Sequence, residues 1–597
     1  MDIRISYEEF SSFVGDVRPI WLESDENLKN KKISWGVKGD AVEIKSCAGC
    51  FHGAFRYGAF MTFVKEGEAI VYATFEDKKY ECRVTSRARR DFSKGDQDFF
   101  VGDFHTHTSH IHEHDLFLER DPGEMRAYLD AIRDENKRDI AVITDHSETI
   151  DLENFFHGFK EYELAREGMQ PIVYAGCENE IMYAEKDRFG RLHRVSGELV
   201  AINSASFCQA NTYPEFFWAF ENNPFAIGIF AHPHVIGIST KGVWNYRPRL
   251  NNPKELTSLI KYVEVFNSPA NSQNMLHEYV YSDALDAGYR VSTTCGSDQH
   301  GQWNFDVFTA ATIIMAPERS REAFTDALLN LRAYASESGN IKLRYFVNGK
   351  EAPCDLDAAT KYHFEVKIDY FKKDDSTRPV RCEVISDGGK TIKTIENVDF
   401  EHFEFDVESD TARWFYLRFV DSKTLRTFSP PVFTGRAITP YVIDDLKPID
   451  KAGFVIKDEN GNSTPELIDD DTFSVWEAEG TTASITIDMG SVRSVAALGN
   501  YAAPLDIQEF RAKKINPELA EANFPVDYVI STSSDGVVYE VCDEGVFRAF
   551  SGEEIVRFEK RAARFVKLDI LSTVGSRIGR EAYMNAPIKI AEISLFE

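Results

Sequence analysis

No run of this chain approaches the ~20 consecutive apolar residues needed to cross a bilayer as a helix. The opening MDIRISYEEF also lacks the basic start, apolar stretch and small-residue cleavage site of a secretory signal, so a soluble, cytoplasmic protein is expected. Basic residues are in deficit: 68 Lys and Arg face 97 Asp and Glu, a formal net charge of −29. A polyanion would be repelled by that balance, which excludes nucleic acid and anionic membrane surfaces as expected partners. Cysteine is scarce, nine residues scattered through 597, an odd number that fits reduced thiols better than a disulfide framework. Cys47 and Cys50 form a lone CxxC with no second pair, which reads as buried thiols before it reads as zinc ligands.

What is present is ordinary globular material, 43% hydrophobic and 13% aromatic, in a chain too long for one core. A prior of roughly 150 residues per domain gives about four domains. Residues 1–98 read as a β-rich domain, with alternating runs such as EAIVYATF and YECRVTS. Residues 99–340 alternate short apolar strands with amphipathic helices, the pattern of parallel βα units. Residues 341–436 return to strands (YHFEVKIDY, RCEVISDG, HFEFDV, WFYLRFVD) and suggest a small β-sandwich, and 437–597 are again strand and turn.

Within 99–340, Asp121, Pro122 and Glu124 supply an N-cap, a first-turn proline and a capping-box glutamate, and Asn252, Pro253 and Glu255 repeat the arrangement. The expected strands are FFVGDF, DIAVIT, PIVYAG, FAIGIFA, YVEVFN and RVSTTC, and six or seven such units suggest a barrel related to the (β/α)8 type. Ligand-type residues follow nearly every one: His105 and His107, Asp145 and His146, Glu178, His232 and His234, Asn267, then Asp298 and His300. Strand ends of a parallel barrel converge on one face, so residues far apart in sequence would meet in space. Twelve of the fifteen histidines lie in this segment, five of them in VGDFHTHTSHIHEHD alone, a bias that separates a metal site from isolated core histidines. His105 and His107, two apart on a strand, point to the same face and can reach one ion. Mixed imidazole and carboxylate ligands suit zinc, manganese or iron, and their number is enough for two or three divalent ions.

The segments DFHTHTSH, ITDHSE, GCENE, AHPH, VEVFN and GSDQH, in that order, resemble the polymerase and histidinol phosphatase (PHP) superfamily of metal-dependent phosphoesterases. The resemblance implies a distorted (β/α)7 barrel flanked by all-β domains, with His105, His107, His146, Glu178, His232, Asp298 and His300 as ligands. Where that family carries a further ligand after the second histidine, this chain offers His112, Glu113, His114 or Asp115, with His112 or His114 favoured. Where it carries a histidine after the bridging glutamate, His193 and Glu198 compete. The implied reaction is hydrolysis of a small-molecule phosphate ester by a metal-bound hydroxide, with Asp298 orienting it and His234 or His300 protonating the leaving group. Lys241, Arg247 and Arg249, beside Trp244 and Tyr246, are candidate contacts for an anionic substrate. A shorter likeness, of WFYLRFVDSKTLRTFSPPVF to the tail of carbaryl-hydrolase-like PHP proteins, implies an alternative ester, carbamate or amide substrate. A non-catalytic binding protein is the third reading.

PELIDDDTFSVWEAEGTTASITIDMG, VDYVISTSSDGVVYEV, ARFVKLDIL and IKIAEISLFE resemble a discoidin-like module of the coagulation-factor 5/8 type over 437–597. That implies a β-sandwich with carbohydrate as a candidate partner and calcium near Asp469, Asp470, Asp471 and Thr472. The competing reading is a solvated acidic turn over a core tryptophan, Trp476.

Overall fold

The computed structural model describes residues 2–25, 28, 31–48, 54–92, 96–107, 138–147, 172–186, 192–202, 215–216, 225–233, 259–267, 274–298, 309–437, 445–471, 474–503, 522–547, 553–578 and 584–597.

The N-terminal strands are β1 (Ile3–Ile5), β2 (Glu9–Phe13), β3 (Val17–Ser24), β4 (Ser34–Lys38), β5 (Val42–Ala48), β6 (Ala54–Phe63), β7 (Gly67–Phe75) and β8 (Lys78–Arg87). They form two four-stranded sheets, ordered β1-β3-β6-β5 and β2-β8-β7-β4. Alternation explains the packing: every second residue of β7 and β8 is buried, and Val71, Ala73, Cys82 and Val84 meet Trp21, Met61 and Phe63 from the facing sheet. The β7–β8 hairpin closes through Glu76 and Asp77, both at positive φ, as a two-residue turn matched to strand twist requires.

The central unit contains β9 (Asp98–Thr106), β10 (Ile140–Ile143), β11 (Ile172–Lys186), β12 (Leu192–Ile202), β13 (Ile227–Ala231), β14 (Ile260–Asn267), β15 (Ser292–Gly296), β16 (Ala311–Ala316) and β17 (Ala333–Ser336). The centre of each of the six apolar runs named above lies in one of these strands. β10, β13 and β15 are buried along their whole length, which is why they read as continuous apolar runs rather than alternating ones.

The expected (β/α)7 barrel is not what these strands build. They lie in an open, mixed sheet ordered β15-β14-β13-β12-β11-β10-β9-β16-β17, which continues into four strands of the next segment (Arg426–Phe428, Trp414–Asp421, Pro379–Ser386 and Lys390–Glu396). Pairing is parallel within β9-β10-β11 and β13-β14-β15, but β12 runs antiparallel to both neighbours and β16 antiparallel to β9. The physical reason is the long ribbon: β11 pairs antiparallel with β12, the next strand in the chain, over eleven positions, from Gly176↔Ile202 to Lys186↔Leu192, where a barrel needs a parallel neighbour reached by a crossover helix. A single backbone hydrogen bond, Asp298 N–H to the His105 carbonyl at 2.8 Å, joins the ends of β15 and β9, and no ladder closes the sheet among the described residues.

Helix is sparse: the described residues hold three α-helices, α1 (Asn274–Asp286), α2 (Arg321–Leu329) and α3 (Val574–Ile578). None of them is long and apolar enough to cross a membrane. The two helix starts expected at Asp121 and Asn252 lie outside the described residues. Ser320 caps α2 by accepting the Ala323 N–H at 3.2 Å.

Beyond residue 340, a four-stranded sheet containing Ile341–Val347, Lys361–Tyr370 and His402–Glu408 faces the extension of the central sheet across a core of Tyr345, Phe364, Phe415 and Leu417. The C-terminal region has its own seven-stranded antiparallel sheet around Ile485, Leu498, Ile530 and Leu568.

Candidate metal centre

Side chains from seven strands meet at the ends of β9, β10, β13, β14 and β15 and on the inner face of the β11–β12 ribbon. His105 is the last residue but one of β9 and His107 lies just beyond its end, and alternation turns both into the same buried space. Their Nε2 atoms lie 3.1 Å apart. Glu178, in the middle of β11, sits between them and two other histidines. Its Oε2 is 3.3 Å from His105 Nε2, 3.4 Å from His107 Nε2 and 3.2 Å from His146 Nδ1, while its Oε1 is 2.9 Å from His232 Nε2. Asp298 closes the other side, with Oδ1 3.1 Å from His107 Nε2 and 3.6 Å from His105 Nε2. Glu198 reaches in from β12, 3.3 Å from His232 Nε2.

A second layer holds this set in place. Glu264, buried within β14, presents Oε2 to His105 Nδ1 at 3.1 Å and accepts the backbone N–H of His232 at 2.7 Å. With Nδ1–H donating to Glu264, the neutral His105 ring would present its Nε2 lone pair toward Glu178 and Asp298. The Asn267 amide donates to Glu264 Oε2 at 3.4 Å and to Asp298 Oδ2 at 3.3 Å. His232 and Asp298 both sit at positive φ, 21° and 49°, a conformation that costs non-glycine residues about 1–3 kcal/mol and persists where surrounding contacts over-determine it. Gly296, just before Asp298, has no room for a side chain: a Cβ there would overlap the His105 Cβ and the Glu264 carboxylate.

The electrostatics point the same way. Burial by itself would raise the Glu178 and Asp298 carboxyls, yet the His105 imidazole, with His146 beside Glu178 and His107 and His232 beside Asp298, holds both well below the usual carboxylate range. Burial pushes both imidazoles down, but Glu178 and Glu198 outweigh it at His232 and lift it to about 9, and Glu178, Glu264 and Asp298 outweigh it at His105 and hold it well above the usual imidazole range. Glu178, Glu198, Glu264 and Asp298 thus crowd negative charge into one largely buried space, and buried charge requires compensation.

Divalent ions fit this set. Glu178 Oε2 is buried with no hydrogen-bond donor of acceptable geometry, while three imidazole nitrogens surround it. Three overlapping triads offer converging ligand atoms: His105, Glu178 and His232; His105, His107 and Asp298; His107, His146 and Glu178. Most spacings of 3.1–3.6 Å are near the ~3.3 Å expected between ligands about 2.0–2.1 Å from a shared tetrahedral ion.

The candidate residues therefore fall into three groups. His105, His107, His146, Glu178, His232 and Asp298 come together. Of the competing pair, Glu198 stands at the cluster, whereas His193 pairs with Glu185 seven residues along the ribbon from Glu178, about 23 Å away at ~3.3 Å per residue. His112, Glu113, His114, His234, Lys241, Arg247, Arg249 and His300 lie outside the described residues, as does Cys50. Glu264 was not among the sequence candidates; its signal is an acid inside the otherwise apolar run YVEVF. In the C-terminal region, Trp476 is buried and the Asp470 carboxylate pairs with Lys451 at 2.7 Å, while Thr472 lies outside the described residues.

No protein-family model matches the chain, and no curated protein matches it. Solved structures similar to part of it are carbohydrate-binding modules. One, a family 32 module from Clostridium perfringens in complex with GalNAc-beta-1,3-galactose, is 17% identical, covering 25% of this chain and 100% of that one, with a TM-score of 0.20. Another, the family 32 module of Clostridium perfringens NanJ in complex with galactose, is 16% identical over 26% of this chain and 99% of that one, again with a TM-score of 0.20. A third, the family 32 module of AlyQ in complex with 4,5-unsaturated mannuronic acid, is 18% identical over 25% of this chain and 98% of that one, at 0.19.

Proposed function

We propose that the chain is a metal-dependent hydrolase, of the kind its PHP-like segments suggest, that cleaves a small-molecule phosphate ester at the centre around Glu178. The observation that carries this reading is the placement of Glu178: each of its oxygens faces a different set of imidazoles, so one carboxylate can span two cations. His105, His107, His146, Glu178, His232 and Asp298 would hold the ions, with Glu198 beside His232. Divalent ions at such a site polarise a phosphoryl oxygen and bring the pKa of water towards neutrality. The chain's own contribution is orientation. Asn267 fixes one oxygen of Asp298 and leaves the other on the histidine side, and Glu264 sets the tautomer of His105.

The test is elemental analysis of the purified protein together with a panel of chromogenic phosphomonoesters, phosphodiesters, carboxylic esters and carbamates. Two or three transition-metal ions per chain with phosphate release supports the proposal. Metal with cleavage of uncharged esters or carbamates alone would replace phosphoryl chemistry by the acyl alternative, and no metal uptake after reconstitution would sink both. For residues 437–597 we propose carbohydrate binding on the strength of the discoidin-like segments, tested by a glycan array with the full chain.

A further inference from the structure

A second set of ligand-type residues lies on the outer face of the sheet that contains Lys361–Tyr370 and His402–Glu408, in a different core from the buried centre. Alternation sends Tyr362, Phe364 and Val366 inward and leaves His363, Glu365 and Lys367 outward; on the neighbouring strand Phe403 and Val407 go inward and His402, Glu404 and Asp406 outward. The register then sets Glu365 directly opposite Glu404, His363 opposite Asp406 and Lys367 opposite His402. Two glutamates directly across a ladder repel one another. Lys367 pairs with Glu365 at 2.6 Å and Lys361 with Asp406 at 2.8 Å, but no lysine or arginine among the described residues pairs with Glu404. What faces Glu404 is imidazole: His402 Nε2 lies 3.9 Å from its Oε1, and His363 Nε2 lies 3.5 Å from its Oε2.

From this juxtaposition we propose that Glu365, His402 and Glu404 form a surface site for a divalent transition ion such as zinc, with His363 and Asp406 as its supporting pair. One ligand atom from each of the three converges within 4.8 Å, and the His402 Nε2 to Glu365 Oε1 distance of 3.4 Å matches the ~3.3 Å edge of a tetrahedral zinc site, where the ion would displace the flexible Lys367 ammonium that bonds the same Oε1 at 2.6 Å. A cation between Glu365 and Glu404 turns their repulsion into shared ligation. His363 bonds through Nδ1 to Asp406 at 3.0 Å and turns Nε2 to the Glu404 oxygen on the far side, the carboxylate–imidazole relay that orients ligands in known sites. Three protein ligands leave a fourth position for water, and all three side chains sit on a rigid two-stranded ladder, so little ordering is needed on binding.

The experiment is a zinc titration of the full chain after its buried centre has been loaded and its metal content measured, comparing the unmodified protein with His402→Ala and Glu404→Gln. His402 and Glu404 are both more than half exposed, so the variants are expected to fold, and their circular dichroism spectra and melting temperatures confirm it. The expected result is one further zinc equivalent in the parent that either variant loses, with about a 10–100-fold weakening in His363→Ala, the usual effect of removing a supporting partner. Equal zinc stoichiometry in parent and variants would overturn the proposal, as would anomalous scattering from a zinc-soaked crystal that places no ion between Glu365 and His402.

Discussion

At the scale of single residues, the centre depends on groups that touch no ion. Glu264 bonds to one ligand through a ring nitrogen and to another through a backbone N–H, so its loss should misalign both His105 and His232. Glu264→Gln keeps the shape but offers His105 Nδ1 a weaker acceptor; metal affinity is expected to fall about 10–100-fold, measured by competition with a chromophoric chelator. Gly296→Ala acts by volume alone. A Cβ there drives into His105 and Glu264, and overpacking of this kind costs about 1–3 kcal/mol, so both the urea midpoint and the metal content should drop together. Glu264 stayed hidden in the sequence because an acid in an apolar strand carries no mark of what its carboxylate accepts. His105, His107 and Asp298 were legible because ligand atoms must come from a short menu of residue types and because strand ends bring them together. Choosing between His193 and Glu198 needed the register of the ribbon, which no local pattern records.

Between elements, one ion-pair cluster ties the N-terminal domain to the central unit. Glu322, on the first turn of α2, is buried against Arg87 from the end of β8 and accepts both the backbone N–H of Arg90 at 2.8 Å and its Nε at 3.0 Å. Burial works against its charge, but the hydrogen bonds from Arg87 and Arg90 more than offset it and hold the carboxyl below the usual glutamate range. A depressed folded pKa means the seam is at full strength above the ordinary glutamate value near ~4.3 and weakens as the pH falls through the folded value. Hydrogen exchange at β8 and α2 should therefore accelerate in acid before the rest of the central unit. Glu322→Gln, losing hydrogen bonds to charged partners worth about 1.5–3 kcal/mol each at most, should show that faster exchange already at pH 7. The barrel expectation failed at this same scale. PIVYAG is expected as one short strand in a series of βα units, whereas Ile172–Lys186 is a single long strand paired antiparallel with the next one, and nothing in local periodicity distinguishes a parallel neighbour from an antiparallel one.

Across the whole molecule, the sheet that carries the candidate metal centre does not stop at residue 340. Ser336 of β17 pairs with Thr427, and their hydroxyls lie 2.8 Å apart. Behind that ladder, α1 is held by the sandwich strand Trp414–Asp421: the Trp414 indole and Arg413 both donate to Asp286, and Tyr416 and Arg418 donate to the buried Glu278. Removing residues 341–597 would expose the edge of β17 and the face of α1 that Trp414 and Tyr416 cover, leaving Glu278 and Asp286 to water in place of those donors. The C-terminal module touches α1 more lightly, through Arg577 and the packing of Tyr279 beside Phe524 and Val574. Two truncations should therefore behave differently. A chain ending at 437 is expected to keep its melting temperature and its full metal content, because every residue of the centre and every strand of its sheet remains. A chain ending at 340 is expected to lose cooperative unfolding in calorimetry and to purify with less metal, because α1 and β14 pack on each other and β14 supplies Glu264 and Asn267. Full metal content in the shorter chain would mean that the centre is self-sufficient and that the continuous sheet only joins two independent bodies.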